Sequence, residues 1–354
     1  MNLHHELSQS LDIARSLILS DPGEARRLTE HARQLAEQLG QAHDMLEARR
    51  LLARIVRAQD FSSVVKPLAD ALLQDAAAAG ARDIWLDTLF IAADSAYGDG
   101  MYADASERYL GILEAGLNEN WARALVIAYT GIAKLCFIYG EAAVAERNLN
   151  TALQYAGHVE CSDTLISLYI NLAANAIHSQ RHVLANAWLT EVQAQLLKAG
   201  VCEYEPELYY YQGIIAQREG RSEEARALFR RSLMLNASNH NNWGRTVNLL
   251  GLGEVAMAQG EHFAAEYYMR EALLLAIEIN STHLEMQAHR MLAEVLRKTG
   301  ETRREFEHWQ RHFALLKVTR EENRDDPLSR TLFIDTCARQ AGMERRHVSR
   351  KAAA

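Results

Sequence analysis

Histidines and carboxylates are the side chains of this sequence that are best able to do chemistry. The chain carries 14 histidines and 46 acidic residues among 354 positions. His178 and His182 are four residues apart, a spacing that places two metal ligands on one face of a helix. A turn is expected at Gln180 between them, so the two imidazoles should not share a helix. Glu223 and Glu224 stand where a helix is expected to begin, and there a carboxylate stabilises the helix dipole without any catalytic role.

Motifs of the common enzyme classes are missing from the sequence. It contains no HExxH pair, no glycine-rich phosphate loop and no GxSxG nucleophile motif. Four cysteines without a CxxC pair fit a reduced compartment, and no apolar run reaches the roughly 20 residues that span a membrane. The net charge of −8 argues against the bulk of the chain coating nucleic acid or an anionic membrane. We therefore predict a cytoplasmic protein that is not an enzyme, with no catalytic residue, metal, cofactor or membrane contact.

A period of 40 residues runs through most of the chain. Small residues recur at this spacing, and a glycine precedes many of them by five positions. The small residues are Ala25, Val64, Ala105, Ala145, Ala185, Ala225 and Ala265, and the glycines are Gly100, Gly140, Gly220, Gly260 and Gly300. Such self-similarity marks an array of one supersecondary unit, stacked because no unit can bury its apolar face alone. Abundant alanine and leucine with only four prolines predict that the repeated unit is helical.

Residues 207–235 show how one repeat is expected to fold. Gly220 ends a first helix, and Ser222 can cap the second. Small residues at Gly213 and Ala225 let the two helices approach closely, and Phe229 fills the space between them. The repeat is therefore predicted to be a helical hairpin with a glycine at its corner.

These residues resemble the tetratricopeptide repeat, in which a small residue, a turn glycine, an alanine and a large apolar residue follow at fixed intervals. The resemblance covers residues 3–318 and is weaker where Gln180 replaces the glycine and Glu305 the alanine. The first two pairs, with turns at Ser20–Gly23 and Gln59–Phe61, rest on spacing alone. The family's usual period is about 34 residues, and the longer period is similar to repeats in sensory segments of bacterial regulators. The resemblance implies an all-α, right-handed superhelical solenoid of about eight antiparallel helix pairs over residues 1–318.

The same resemblance implies that the first helix of each pair lines a concave groove, whose exposed residues select a partner. Asparagine amides can bond a peptide backbone in both directions, and aromatic rings act as rigid anchors. The residues expected there are Arg50, Tyr97, Lys134, Asn171, Asn175, Tyr210, Tyr211, Arg218, Glu254 and Arg290. We predict a non-enzymatic scaffold or sensory module in bacterial regulation or signalling that binds another protein or a peptide in this groove. A homodimer is compatible with this prediction.

The repeat ends near Lys317, and residues 319–354 read as a charged linker followed by a basic tail. Within residues 333–351, the spacing of Ala338, Gly342 and Val348 is similar to a Fis-type helix-turn-helix with its turn at the glycine. The alternative hypothesis is therefore a transcriptional regulator in which the tail contacts DNA while the array senses a partner or ligand. The residues implied in DNA contact are Arg345, Arg346, His347, Arg350 and Lys351. A solvated basic tail and the truncated opening of a further signalling domain remain open as other interpretations.

Overall fold

The computed structural model describes residues 3–59, 65–98, 100–199, 202–325 and 328–353. All regular elements in these ranges are α-helices, and the described part of the chain contains 17 of them. They are α1 Leu3–Leu17, α2 Pro22–Gln38, α3 Ala42–Gln59, α4 Val65–Ala78, α5 Arg82–Gly98, α6 Tyr102–Glu119, α7 Ala122–Ile138, α8 Ala142–Ala156, α9 Ser162–His178, α10 His182–Ala199, α11 Glu205–Arg218, α12 Ser222–Ser238, α13 Asn242–Ala258, α14 His262–Glu278, α15 Thr282–Thr299, α16 Thr302–Asp325 and α17 Leu328–Ala353.

The chain divides into two compact units. Unit 1 comprises Met1–Leu172 and Arg330–Ala354, and unit 2 comprises Ala173–Ser329. Within each unit, helices that follow one another in the sequence pack together, as α1 does with α2 and α11 with α12. In the described residues α1 to α16 form eight consecutive pairs. The predicted fold class, an all-α array of helix pairs, is confirmed.

Short turns in the left-handed conformation close most of the helix pairs. Glycine supplies this conformation without steric cost, and asparagine tolerates it better than most residues. The predicted corner at Gln180 is present with a φ of 61° although it lacks glycine, so His178 and His182 end and begin different helices. The left-handed glycines are Gly40, Gly80, Gly100, Gly140, Gly220, Gly260 and Gly300, and Asn120, His240 and Asn280 adopt the same conformation.

The first two corners had no glycine signal in the sequence. The one at Ser20–Gly23 is present, because Asp21 caps α2 and its side chain accepts a hydrogen bond of 3.0 Å from the Glu24 amide. The other, expected at Gln59–Phe61, lies outside the described residues.

Small residues let large ones pack between the helices, as the repeat pattern predicts. In unit 2 the Phe229 ring is fully buried between two glycines of neighbouring first helices. A Cβ atom would lie 2.8 Å from this ring at Gly213 and 2.9 Å from it at Gly251. In unit 1 Tyr109 is equally buried, and a Cβ at Gly131 would lie 2.2 Å from its ring. Glycine at these positions is therefore required by the close approach of the helices.

The C-terminal segment differs from its prediction. The sequence predicts that the array ends at residue 318. Helix α16 passes this position and continues to Asp325. The domain boundary at 318 stays a prediction. The turn expected at Gly342 is absent, because α17 is one continuous helix from Leu328 to Ala353. Alanines and long unbranched side chains on both sides of the glycine favour the helix, and its packing in unit 1 stabilises it. A freely solvated tail is also excluded, since Thr336 is only 4% exposed.

Candidate functional site

The first helices of the pairs in unit 1 carry a network of charges. We call the surface formed by their side chains the A-helix face, represented in unit 1 by Arg57, Asp94, Tyr97 and Lys134 on α3, α5 and α7. Arg57 Nη1 donates a hydrogen bond of 2.8 Å to Asp94 Oδ2, and Lys134 Nζ donates to Asp94 Oδ1. The same Nζ lies 4.4 Å from the centroid of the Tyr97 ring, a cation–π distance. Two of the predicted partner-binding residues, Tyr97 and Lys134, are therefore in contact with each other.

The carboxylate at the centre of this network is held ionised. Burial acts to raise the pKa of Asp94, but Lys134 and Arg57 outweigh it and hold that pKa below its usual value. Burial raises the pKa of the Tyr97 phenol, and the Tyr102 phenol and the Asp94 carboxylate raise it further. Lys134 and Arg57 are therefore both paired with one carboxylate of the same chain.

Arg50 takes part in a second ion-pair network, two turns from Arg57 on α3. Its Nη1 donates to Asp87 Oδ2 at 2.8 Å and its Nη2 to Glu47 Oε1 at 2.6 Å, while Arg123 on α7 also donates to Asp87. Burial acts to raise the pKa of Glu47, but hydrogen bonds and charge from Arg50, then Arg15, lower it to about 2. Arg50, predicted to contact a partner, is thus already paired with two carboxylates.

An ion pair also joins helices that are far apart in the sequence. Arg54 Nη2 on α3 lies 2.9 Å from Asp163 Oδ2 at the start of α9, so the pair links α3 to α9 past α5 and α7. Asn171, also on α9, uses its Nδ2 to donate to the Ser167 carbonyl of its own helix at 2.8 Å. The A-helix face of unit 1 is therefore braced by internal contacts.

The A-helix face of unit 2 has a different chemistry. We define it by Tyr210, Tyr211 and Gln217 on α11, Glu254 on α13 and Arg290 on α15, all half-buried. The rings of Tyr210 and Tyr211 are 5.2 Å apart, and Gln217 Nε2 donates to Glu254 Oε2 at 2.9 Å. Burial and then the Glu254 charge raise the pKa of Tyr210 to about 12, so its phenol stays protonated at neutral pH. This surface combines aromatic rings with hydrogen-bonding groups of both kinds.

Three of the predicted partner-binding residues in unit 2 lie outside the Tyr210–Tyr211 and Gln217–Glu254 contacts. Arg290 Nη1 pairs with Glu294 on its own helix at 2.6 Å. Arg218 Nη1 donates to the Ile177 carbonyl at 2.6 Å, so it satisfies the carboxyl end of α9. Asn175 is only 2% exposed, and its Oδ1 has no hydrogen-bond partner among the described residues. Asn175 is thus inside the fold, where a partner does not reach it.

Part of the unit 1 network lies outside the predicted set of residues. Glu47 and Asp87 pair with the predicted residue Arg50, and Arg123 pairs with Asp87. A sequence signal for these residues exists. Opposite charges occur on neighbouring first helices about one repeat apart, and residues with this separation occupy similar positions along adjacent helices. Pairs at separations of 36 or 37 are Arg50 with Asp87, Arg57 with Asp94, and Asp87 with Arg123, and the polar pair Gln217 with Glu254 has the same spacing.

The residues predicted to contact DNA lie on the last turns of α17. Arg345, Arg346, Arg350 and Lys351 are exposed and His347 is half-buried. Arg350 Nη1 donates to Asn118 Oδ1 of α6 at 2.9 Å. Without a turn at Gly342 these residues do not form a separate recognition helix, so the DNA hypothesis loses the motif on which it was based.

Neither a metal site nor a membrane-spanning helix is present in the described ranges. These residues contain no group of three or more histidine, cysteine or acidic side chains arranged to hold a metal ion. None of the helices in those ranges has both the length and the apolar character needed to cross a membrane.

Comparison with known proteins identifies the fold. No protein-family model matches the sequence, and no curated protein matches it. Among solved structures, the chain is similar to the Rap protein complexed with Competence and Sporulation Factor, with 14% identity, coverage of 93% of this chain and 80% of that chain, and a TM-score of 0.54. It is similar to the apo form of the quorum sensor NprR from B. thuringiensis, with 13% identity, coverage of 77% of each chain and a TM-score of 0.52.

A third similar structure is the APC/C hetero-tetramer Cut9–Hcn1. The identity is 17%, the match covers 89% of this chain but 59% of that chain, and the TM-score is 0.53. The agreement with these helical arrays shows that the chain has the tetratricopeptide-type fold, as the repeat pattern predicted.

Proposed function

We propose that this protein is a non-enzymatic, cytoplasmic regulatory module that binds a peptide, or a segment of another protein, along the A-helix face of unit 2. The observation that carries the proposal is the grouping of Tyr210 and Tyr211 with the Gln217–Glu254 pair on neighbouring first helices. The homodimer that the sequence allows stays a prediction.

The chemistry of this face suits a peptide. Aromatic side chains bury a large area with little loss of conformational entropy, which makes them frequent hot spots of binding. Gln217 and Glu254 together offer a donor and acceptors that can bond the amide groups of an extended or helical backbone. Since the two side chains already hold each other in place, binding costs little ordering of the protein.

The A-helix face of unit 1 is less suited to this role. Arg50 and Lys134 are paired with carboxylates, and Arg54 is paired with Asp163. A partner would have to replace these internal contacts before it gained any of its own. We therefore assign them to stability and assign recognition to unit 2.

Two of the similar structures support a peptide or small protein factor as the class of partner. The Rap protein was solved with Competence and Sporulation Factor, and NprR is described as a quorum sensor. Identities of 13 to 14% show the fold alone, so this support is by analogy. The experiment therefore tests the side chains of unit 2.

The test is selection of binding peptides from a displayed random library with the full-length protein, followed by titration calorimetry of the enriched peptides. Tyr211→Ala and Glu254→Gln should each weaken binding by at least roughly tenfold, which corresponds to about 1.4 kcal/mol. The matched control is Tyr267→Ala, which removes an aromatic ring that is 59% exposed on the second helix α14. It should leave the affinity unchanged.

Failure to enrich any peptide would overturn the proposal. Equal losses in Tyr211→Ala and Tyr267→Ala would also overturn it, because the site would then not be on the first helices. Circular dichroism of each variant shows whether the helical array has been kept.

A further inference from the structure

Helix α17 rests on unit 1 in a seat formed by α6, α7 and α8. Near one end the Phe333 ring lies 5.4 Å from that of Tyr139, the residue that follows α7. Near the other, burial and then the neighbouring Glu344 carboxylate raise the pKa of the Tyr129 phenol on α7. Later residues of α17 therefore lie beside earlier residues of α7, so the two helices run antiparallel.

In the described residues, hydrogen bonds between side chains join α17 to α6 and α8 at four positions of α17. Thr336 donates its hydroxyl to the Leu332 carbonyl at 2.8 Å, so Ser106 is the donor in the 2.7 Å bond between Ser106 Oγ and Thr336 Oγ1. The other bonds are Gln340 Nε2 to Asn148 Oδ1 at 2.6 Å, Arg339 Nη2 to Glu107 Oε2 at 2.9 Å, and Arg350 Nη1 to Asn118 Oδ1 at 2.9 Å. Each of these groups can bond to water instead if the helix leaves.

Apolar contact is concentrated near the start of α17. Leu332, Phe333 and Cys337 face Ile132 and Tyr139 around one small cavity. Farther along α17, side-chain hydrogen bonds join Arg339, Gln340 and Arg350 to α6 and α8.

The residues of the seat differ from those at the same position in other repeats. Ser106 is 1% exposed beneath Thr336, whereas the equivalent residues are all larger and all but one are charged: Lys66, Glu146, Asn186, Arg226 and Glu266. Tyr139 likewise stands where later repeats have Ser179, Glu219, Gln259 and Thr299. A long side chain at 106 would occupy the place of Thr336, so the small serine makes room for the helix in this repeat alone among those compared.

We infer that the seat on α6–α8 is a second binding surface, specific for a helix, and that α17 is its resident but reversible occupant. Contacts that form and break within a chain are more polar than a permanent core. The α17 seat has this property, since side-chain hydrogen bonds cross it at Thr336, Arg339, Gln340 and Arg350, unlike the buried apolar packing of α7. Opening uncovers Asn148, Tyr139 and Cys136 while the helix pairs stay folded.

The seat also defines the helix that fits it. Such a helix carries an aromatic residue, then a small hydroxyl residue three positions later, a cation three further and an amide next to it, as do Phe333, Thr336, Arg339 and Gln340. These side chains meet Tyr139, Ser106, Glu107 and Asn148 respectively. The occupant to which we commit is α17 of the same chain.

Hydrogen–deuterium exchange of the full-length protein tests the inference. If α17 opens by itself, amides of residues 331–350 exchange at least tenfold faster than those of α7, with a weaker dependence on urea than global unfolding because less surface is exposed. Ser106→Glu, which introduces the residue of the next repeat, should accelerate that exchange at least a further tenfold and leave α11–α15 unchanged. Asn186→Glu, the same change at the equivalent position of α10, is the matched control and should alter neither.

Two results would overturn the inference. One is α17 exchange that is as slow as that of α7 in the wild type, since the helix would then be part of the permanent core. The other is unchanged α17 exchange in Ser106→Glu. Where Ser106→Glu unfolds unit 1, Arg339→Glu at the exposed edge of the seat gives the same test, and full protection of α17 in that variant counts against the inference.

Discussion

Lys134 on α7 donates a hydrogen bond to the carboxylate of Asp94 on α5, and its ammonium lies over the Tyr97 ring. Arg57 on α3 bonds the other oxygen of the same carboxylate. One acidic side chain thus links three successive first helices of unit 1. A carboxylate that is largely buried is stable only while such partners remain, so this contact serves the packing of the repeats.

Loss of Lys134 should therefore destabilise the protein. Lys134→Met removes one of the two cations paired with Asp94, and we expect the free energy of unfolding to fall by about 2 kcal/mol. Urea denaturation followed by circular dichroism measures the change. Glu294→Gln is the control, because its pair with Arg290 is about 40% exposed and should contribute less than about 1 kcal/mol. Equal effects of the two variants would show that the buried network has no special role.

A histidine pair between α15 and α16 should make unit 2 sensitive to acid. His289 Nδ1 lies 2.8 Å from His308 Nδ1, and burial, then the charge of His308, lowers the pKa of His289 from 6.5 to about 4. The unfolded chain therefore binds more protons than the native one over this interval. This contribution to stability is complete above pH 6.5 and is lost as the pH falls to about 4.

The expected loss over that interval is about 1–3 kcal/mol, measured as the urea midpoint between pH 7.5 and 4. His289→Gln should flatten the part of the profile between pH 6.5 and 5, where most carboxylates remain ionised. The control is His43→Gln, which replaces an exposed histidine of α3. An unchanged slope in His289→Gln would contradict the role of the pair.

Close helix packing predicts the effect of adding one methyl group. Gly131→Ala would place a Cβ 2.2 Å from the Tyr109 ring, and we expect about 1–3 kcal/mol of destabilisation although alanine favours the helix. Gly157→Ala is the matched control, because no atom lies within 4 Å of its Cβ position and its backbone is already αR. Thermal denaturation of both variants checks the difference. Similar melting temperatures would mean that Tyr109 moves aside at little cost.

Cys136 should be the slowest thiol to alkylate in the native protein. It is 1% exposed, and burial, followed by the nearby Cys337 thiol, raises its pKa to about 12. Since only the thiolate reacts, iodoacetamide at pH 8 should modify the partly exposed Cys161 at least tenfold faster. Mass spectrometry of timed samples gives both rates, and unfolding in urea should make them similar. Comparable rates in the native protein would show that Cys136 is not shielded.

Local pattern was enough to predict the helix pairs and their corners. Glycines such as Gly140 and Gly220 mark left-handed turns because few other residues adopt that backbone conformation, and Phe229 beside Gly213 signals a close helix contact. These features act between residues that are near in sequence or separated by one repeat. The period carries them directly.

Long-range packing determined which way the side chains point and where α17 lies. It therefore changed which residues belong to the candidate site. Asn175 has the residue type and position of a groove residue but turned inward, and Arg50 turned out to be paired with Asp87 and Glu47. The link between Arg54 and Asp163, 109 positions apart, depends on how several repeats stack, which no single repeat encodes. The position of α17 is the clearest case. Its sequence is compatible with a DNA-binding element or a solvated tail, and only its contacts with Ser106 and Asn148 show that it packs on unit 1. Side-chain direction and distant contacts arise from the sum of many small packing terms, and these become visible only when all the helices are in place.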